Sequence, residues 1–208
     1  MSSDLSIIFY TKENPKKYEK ILKNYEKEIN EKLPNIVTGL GISTILDEIV
    51  IDKIFGEEYY SIVILTDYIK YCSYFYEDEY PIEEAKQIAK HNTQILLDIV
   101  KKVIDLIQPE FGFGDISGRI DEYVIKLEKK KYKNVKEFLS DITDNFTKLP
   151  WLFVYNEDLD IKIPDKVRWD GLLTEISKKP QLIEKIGKCF LYVLNVNSVS
   201  SAEGEGWE

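Results

Sequence analysis

The short, largely apolar run Leu-Ser-Ile-Ile-Phe-Tyr-Thr at residues 5–11 reads as a strand. Asn14-Pro15 then supplies a helix cap followed by proline in the first turn, and Tyr18, Ile21, Leu22, Tyr25 and Ile29 recur at helical spacing to about Leu33. Pro34 stops the pattern. Residues 36–55 fit strand or helix; the segments 36–46 and 46–55 are both assigned to strand. A strand is predicted over 59–66, a turn at Thr66-Asp67, and a second strand over 68–76, where Tyr68, Lys70, Cys72, Tyr74 and Tyr76 alternate with Ile69, Tyr71, Ser73 and Phe75. The longest helix is predicted from Pro81 to Gln108, with Glu83 and Glu84 in its first turn and a stripe of Ile88, Ile95, Leu96, Ile99, Val103, Ile104 and Ile107.

Beyond Pro109, Phe-Gly-Phe-Gly-Asp-Ile-Ser-Gly at 111–118 reads as a glycine-rich turn or edge strand with special backbone angles. Short helices are predicted at 120–130 and 134–143, a strand from Trp151 to Tyr155, a helix from Asp165 to Ser177, and a last strand from Gly187 to Asn195. Strands separated by helices without strict alternation predict an α+β fold, a mostly antiparallel sheet flanked by helices. Residues 1–197 are expected to form a single domain, and 198–208, rich in Ser, Gly and Glu, a disordered acidic tail.

The charge of −9 is unevenly placed: residues 1–35 carry 7 basic and 6 acidic groups, residues 36–122 carry 7 and 17, and residues 123–208 carry 14 and 14. A middle segment of that sign repels a phosphate backbone and attracts basic partners, which argues against nucleic acid as a partner. No apolar run approaches the roughly 20 residues that cross a bilayer, and the N-terminal residues lack signal-peptide features, so a cytoplasmic protein is expected. The Lys, Glu, Ile and Tyr enrichment is thermophile-like. Cys72 and Cys189 lie in apolar surroundings and suggest neither a disulfide nor a thiolate metal site.

The residues with functional character cluster at 57–80. Seven of the fourteen tyrosines fall between Tyr59 and Tyr80, beside the acidic pairs Glu57-Glu58 and Glu77-Asp78. Tyrosine combines a rigid apolar body with a polar tip, so a strand pair carrying Glu57, Glu58, Tyr59, Tyr74, Tyr76, Glu77 and Asp78 is expected to present a recognition face to a basic protein or to a second copy of the chain. An alternative acidic site comprises Asp115, Asp121 and Glu122, as acid, base or metal ligand of an enzyme acting on a small or basic substrate.

Other chemistry is excluded or weak. Gly112, Gly114 and Gly118 match neither dinucleotide nor P-loop spacing, and no cofactor is expected. His91 is the only histidine and reads as a solvated helix residue, which leaves no catalytic set to assign. No metal-ligand spacing is present. Trp151 reads as core, Trp169 as partly exposed, and Trp207 falls in the tail.

Several short motifs carry a wider likeness. The order of an N-terminal strand and helix, an acidic hairpin, a long helix ending in Pro-x-Phe-Gly-x-Gly (Pro109 to Gly114), a Leu-Pro-Trp strand (Leu149 to Val154) and Gly-Lys-Cys-Phe-Leu-Tyr-Val-Leu (Gly187 to Leu194) resembles the α+β immunity proteins of bacterial polymorphic-toxin systems, the group numbered fifty-two. The resemblance implies a non-catalytic protein that neutralises a partner by binding it, an acidic face set against a basic toxin surface. It also implies that Gly112, Gly114, Trp151 and Phe153 are structural. The lysine-rich region 126–136 has no counterpart in that pattern.

Overall fold

A computed structural model describes residues 4–33, 45–46, 50–128, 132–144, 150–161, 167–171, 174–178 and 180–199. The fold is the expected α+β class. Its centre is an antiparallel sheet in which β4 (Glu57–Asp67), β1 (Asp4–Thr11), β5 (Phe111–Ile116), β6 (Leu152–Asn156), β10 (Cys189–Val193) and β9 (Leu182–Ile186) lie side by side in that order. Two short strands, β2 (Ile45–Leu46) and β3 (Val50–Ile54), both pair with β4 on its outer side.

The period-2 pattern of the strands places apolar side chains on both sheet faces, and each face has its own helices. Leu5, Ile7 and Phe9 of β1, Ile62 and Ile64 of β4 and Leu152 and Val154 of β6 pack on one side against α1 (Glu19–Lys32) and α2 (Ile82–Ile107). Tyr10, Tyr59, Phe111, Phe113, Phe153 and Tyr155 face the other side, against Ile120, Tyr123 and Leu127 of α3 (Ser117–Glu128) and Val135, Phe138 and Leu139 of α4 (Val135–Asp144). The first core is aliphatic and the second aromatic. Trp151 is core, as expected, and its indole Nε1 donates to Asn195 O at 2.8 Å.

The glycine-rich segment is corrected. It forms β5, an interior strand between β1 and β6, and neither Gly112 nor Gly114 has positive φ. The reason for glycine is space: a Cβ on Gly112 would lie 2.7 Å from Ile8 O and 2.8 Å from Phe9 Cδ1, and one on Gly114 would lie 2.8 Å from Ile7 Cγ1. β5 therefore gives aromatic rings to one face and yields the other to side chains of β1.

The expected second strand at 68–76 is also corrected. The chain there makes two 3-10 turns, Tyr68–Tyr71 and Ser73–Tyr76. Asp67 ends β4 by accepting a hydrogen bond from Ile69 N at 3.1 Å, an Asx turn that competes with further strand. Tyr71 and Tyr76 are buried by this path, and Thr66 Oγ1 shares a 2.9 Å hydrogen bond with the Tyr71 hydroxyl. The actual hairpin partner of β4 is β3, joined through Phe55 (φ 54°) and Gly56 (φ 82°), the positive pair that a two-residue hairpin favours. Phe55 is held there with its ring 6.2 Å from Phe138 of α4.

The helix expected from Asp165 to Ser177 is instead a separate antiparallel pair, β7 (Val167–Gly171) and β8 (Thr174–Lys178), with Gly171 opposite Thr174. Val167 and Trp169, like Thr174 and Ile176, alternate with polar residues, and Gly171 interrupts helical propensity. The final strand starts at Cys189, because Gly187 (φ 59°) turns the chain back from β9. Residues 198 and 199 are not tail: Ser198 Oγ donates to Tyr71 O at 2.9 Å and Val199 is fully buried. The remaining tail, with Trp207, lies outside the described residues.

Candidate functional site

The seven residues expected to form one acidic tyrosine face do not share a face. Glu57 and Glu58 begin β4 and the others, apart from Tyr59, follow its end, with the 11-residue strand, roughly 33 Å long, running between them. At the first end Glu57 is tied to Lys12 at 2.6 Å, Lys12 lies 3.6 Å from Glu110, and the Tyr59 hydroxyl donates to Glu110 at 3.2 Å. The Lys12 ammonium is raised above its ordinary range chiefly by its hydrogen bond to Glu57, and the Glu57 carboxyl is lowered by the same bond. Tyr59 is buried, and that burial, with Glu110 beside it, raises the phenol. At this end the Lys12 and Glu57 charges are paired with each other on the surface. An open groove of about 650 Å³ beside it is lined by Lys12, Lys17, Glu110, Asn156 and Asp158, but Lys17 is paired with Glu13 at 2.9 Å, as Lys12 is with Glu57.

The other end is different. Tyr76 is buried with its hydroxyl donating to Lys70 O at 3.2 Å and accepting from Asn92 Nδ2 at 3.0 Å, while Asn92 Nδ2 also donates to Lys70 O at 2.7 Å. These bonds pin the 3-10 turns to α2, and burial raises the Tyr76 phenol. Lys70 is itself buried, which lowers its ammonium, with Asp67 acting in the opposite direction. With Tyr76 turned inward, its neighbours are turned out: Tyr74 is 67% exposed, Phe75 44%, Tyr80 38% and Ile82 56%. Tyr74 and Phe75 meet edge to face at 5.7 Å between ring centroids, and Phe75 meets Tyr68 similarly at 6.4 Å.

Carboxylates surround this shoulder. Residues 74–84 contain Glu77, Asp78, Glu79, Glu83 and Glu84 and no basic residue. Glu83 is paired with Lys86 at 3.2 Å; among the described residues no lysine pairs with the other four. Asp78, Glu79 and Glu84 are exposed, and Glu77 is half-buried. Of the residues the sequence singled out here, Tyr74 and Asp78 are exposed and Glu77 is half-buried; Phe75 and Ile82, which neither tyrosine count nor charge singles out, are exposed as well.

Comparison with known proteins adds no constraint: no family model, no curated protein and no solved structure matches the chain.

The alternative acidic site does not assemble. Asp115 is 1% exposed and accepts from Ile116 N at 2.8 Å and from Trp151 N at 3.2 Å, so its carboxylate braces the β5 end against the entry to β6. Asp121 is exposed on α3, and the Glu122 side chain lies outside the described residues. Among the described residues no three His, Cys, Asp or Glu side chains are grouped to hold a metal ion. Asp115→Ala should cost about 1–3 kcal/mol by leaving buried N–H groups short of an acceptor. Denaturant unfolding checks this, and a loss near zero would remove the bracing role.

The thiols also separate. Cys189 is fully buried with Sγ 3.2 Å from Pro109 O, and burial pushes the thiol up to about 12. Cys72 is only half-buried. Because the thiolate is the reactive form, iodoacetamide at mildly alkaline pH should label Cys72 in the native protein and Cys189 only after unfolding. Mass spectrometry of the labelled peptides reads the result, and equal native labelling would contradict the packing around Cys189. His91 is exposed on α2, consistent with a solvated residue.

Proposed function

We propose that the chain is a non-catalytic protein-binding domain that receives a basic partner on the aromatic and acidic shoulder of residues 74–84. The observation carrying this reading is concentration: four of the seven exposed large apolar side chains among the described residues, Tyr74, Phe75, Tyr80 and Ile82, fall within nine consecutive positions. Scattered exposed apolar residues need no explanation, but a contiguous group rimmed by charge is the form of an interaction surface. Tyrosine and phenylalanine supply rigid area at low entropy cost, and the surrounding carboxylates steer a partner of opposite charge. An immunity-type inhibitor of a basic toxin is the specific form of this activity that the sequence resemblance implies.

The competing readings have less support. A catalytic role near Asp115 would need a carboxylate open to substrate, and Asp115 is sealed by backbone donors. Self-association through the shoulder would oppose five carboxylates to five more, which is costly. Immobilised protein, incubated with native lysate, should retain a basic protein that elutes with salt; retention that is unchanged when Glu77, Asp78, Glu79 and Glu84 are replaced by Gln or Asn would refute the acidic shoulder as the docking surface.

A further inference from the structure

The acidic shoulder has its opposite elsewhere in the same chain. Residues 126–136 carry six lysines, Lys126, Lys129, Lys130, Lys131, Lys133 and Lys136, against the single carboxylate Glu128, whereas residues 74–84 carry five carboxylates and no basic residue. Lys133 is exposed, and among the described residues its ammonium is paired with no carboxylate; Lys136 lies 3.5 Å from the exposed Asp160. Residues 129–131 lie outside the described residues and enter by their charge alone. The topology keeps the two runs apart within one molecule. The shoulder follows Asp67, at the end of the sheet where β1 begins, and its turns are pinned to α2 on the aliphatic face. Tyr132 and Val135 pack on the aromatic face, and the Tyr132 ring stands 5.3 Å from Phe138, which also meets Phe55 before β4 and Phe111 at the start of β5. The two runs therefore lie on opposite faces and towards opposite ends of β4, a strand roughly 33 Å long.

Resting on the docking role proposed above for the shoulder, we infer that, while no other basic partner is bound, the lysine-rich run 126–136 of a second copy occupies it. Copies then associate head to tail, and a basic partner must displace one of them. Charge complementarity selects this occupant. A two-fold pairing of shoulder on shoulder sets carboxylate against carboxylate, but a head-to-tail contact sets the six lysines against the five carboxylates. Lysine stems are apolar enough to lie along the exposed Tyr74 and Phe75 rings, which also attract an ammonium, while the charged ends meet the exposed Asp78, Glu79 and Glu84. The overall charge of −9 opposes association at long range, where salt screens it over about 8–10 Å; pairs in contact are screened much less. Because each copy keeps one surface free, the association is open and grows with concentration.

Sedimentation velocity of the full chain over a range of concentrations tests this without any substitution. The weight-average mass should rise with concentration at about 0.1 M salt, and the association constant should fall about tenfold or more at about 1 M, where the screening length shortens from about 10 Å to about 3 Å. A chain that stays monomeric throughout, or associates equally at both salt concentrations, would overturn the inference. Two variants then identify the surfaces: one combines Asp78→Lys, Glu79→Lys and Glu84→Lys, the other Lys129→Gln, Lys130→Gln, Lys131→Gln and Lys133→Gln. Each alone lacks one surface and should be monomeric. Mixed, the intact shoulder of one receives the intact lysine run of the other, so a one-to-one dimer and nothing larger should form, although both variants keep a net negative charge. Association that survives in either variant alone, or that the mixture does not restore, contradicts the pairing. If the unaltered chain stays monomeric while capture from lysate still depends on the shoulder carboxylates, this occupant is wrong and the docking function stands. If the chain associates as described and the lysate yields no basic protein, the occupant stands and the outside partner is wrong.

Discussion

Gly112→Ala should lower the melting temperature by roughly 6–12 °C, a large effect for one methyl group. The added Cβ would lie 2.7 Å from Ile8 O, a backbone atom of the paired strand, so relief requires β1 and β5 to move apart rather than a side chain to rotate. Overpacking of that kind costs about 3 kcal/mol, and each kcal/mol shifts a domain of this size by about 2–4 °C. Alanine also gains about 0.5–1 kcal/mol over glycine inside a strand, so a clear loss would mean the steric term dominates. Gly114→Ala should cost less, about 1–2 kcal/mol, since its obstacle is the Ile7 side chain and only its stiff χ1 resists adjustment. Calorimetry of the two variants gives the order directly; equal or reversed losses would mean the backbone contact at Gly112 is not the constraint.

The position of this strand also shows where the sequence was legible. Residues 5–11 and 59–66 declared themselves as short runs rich in β-branched and aromatic residues and 82–107 by apolar spacing at the helical period, and the structure has strands at Asp4–Thr11 and Glu57–Asp67 and a helix at Ile82–Ile107. The glycine segment was misread as an edge because glycine ordinarily signals special angles, whereas here it answers crowding from Ile7 and Phe9 of a strand more than 100 positions away. No local pattern encodes that contact. The hairpin through Phe55 and Gly56 was hidden for a related reason: a phenylalanine at φ 54° is tolerated by its packing on Phe138, a tertiary contact that overrides the turn preference for asparagine or aspartate.

The candidate site was half legible. Alternation at 68–76 mimics a strand, but Asp67 capping Ile69 N starts a 3-10 turn, and the choice between the two rests on one side-chain hydrogen bond. Once that turn forms, Tyr76 rotates inward to Asn92, 16 positions ahead on a helix whose apolar stripe gives no hint that a polar residue is needed. Tyrosine count and acidity identified the region; they could not say which rings the turns would bury. Glu57 and Glu58 were grouped with it only because a hairpin would have brought the two acidic pairs together, and a straight 11-residue β4 keeps them apart.

That separation makes the binding prediction selective. With the captured basic partner and surface plasmon resonance, Tyr74→Ala and Phe75→Ala should each raise the dissociation rate about tenfold or more, the expected loss when an aromatic anchor worth at least about 1.4 kcal/mol is removed. Neutralising Glu77, Asp78, Glu79 and Glu84 should instead slow association and flatten its dependence on salt, because steering acts before contact and is screened over about 8–10 Å. Glu57→Gln with Glu58→Gln should change neither rate: roughly 33 Å of strand is more than three screening lengths, and Glu57 is already neutralised by Lys12. All of these positions except the half-buried Glu77 are exposed, so unaltered circular dichroism and melting should accompany the Tyr74, Phe75 and Glu57 and Glu58 variants and leave their rates to report on contact alone. A slowed association in the Glu57 and Glu58 variant, with Tyr74→Ala and Phe75→Ala silent, would move the docking surface to the opposite end of the sheet.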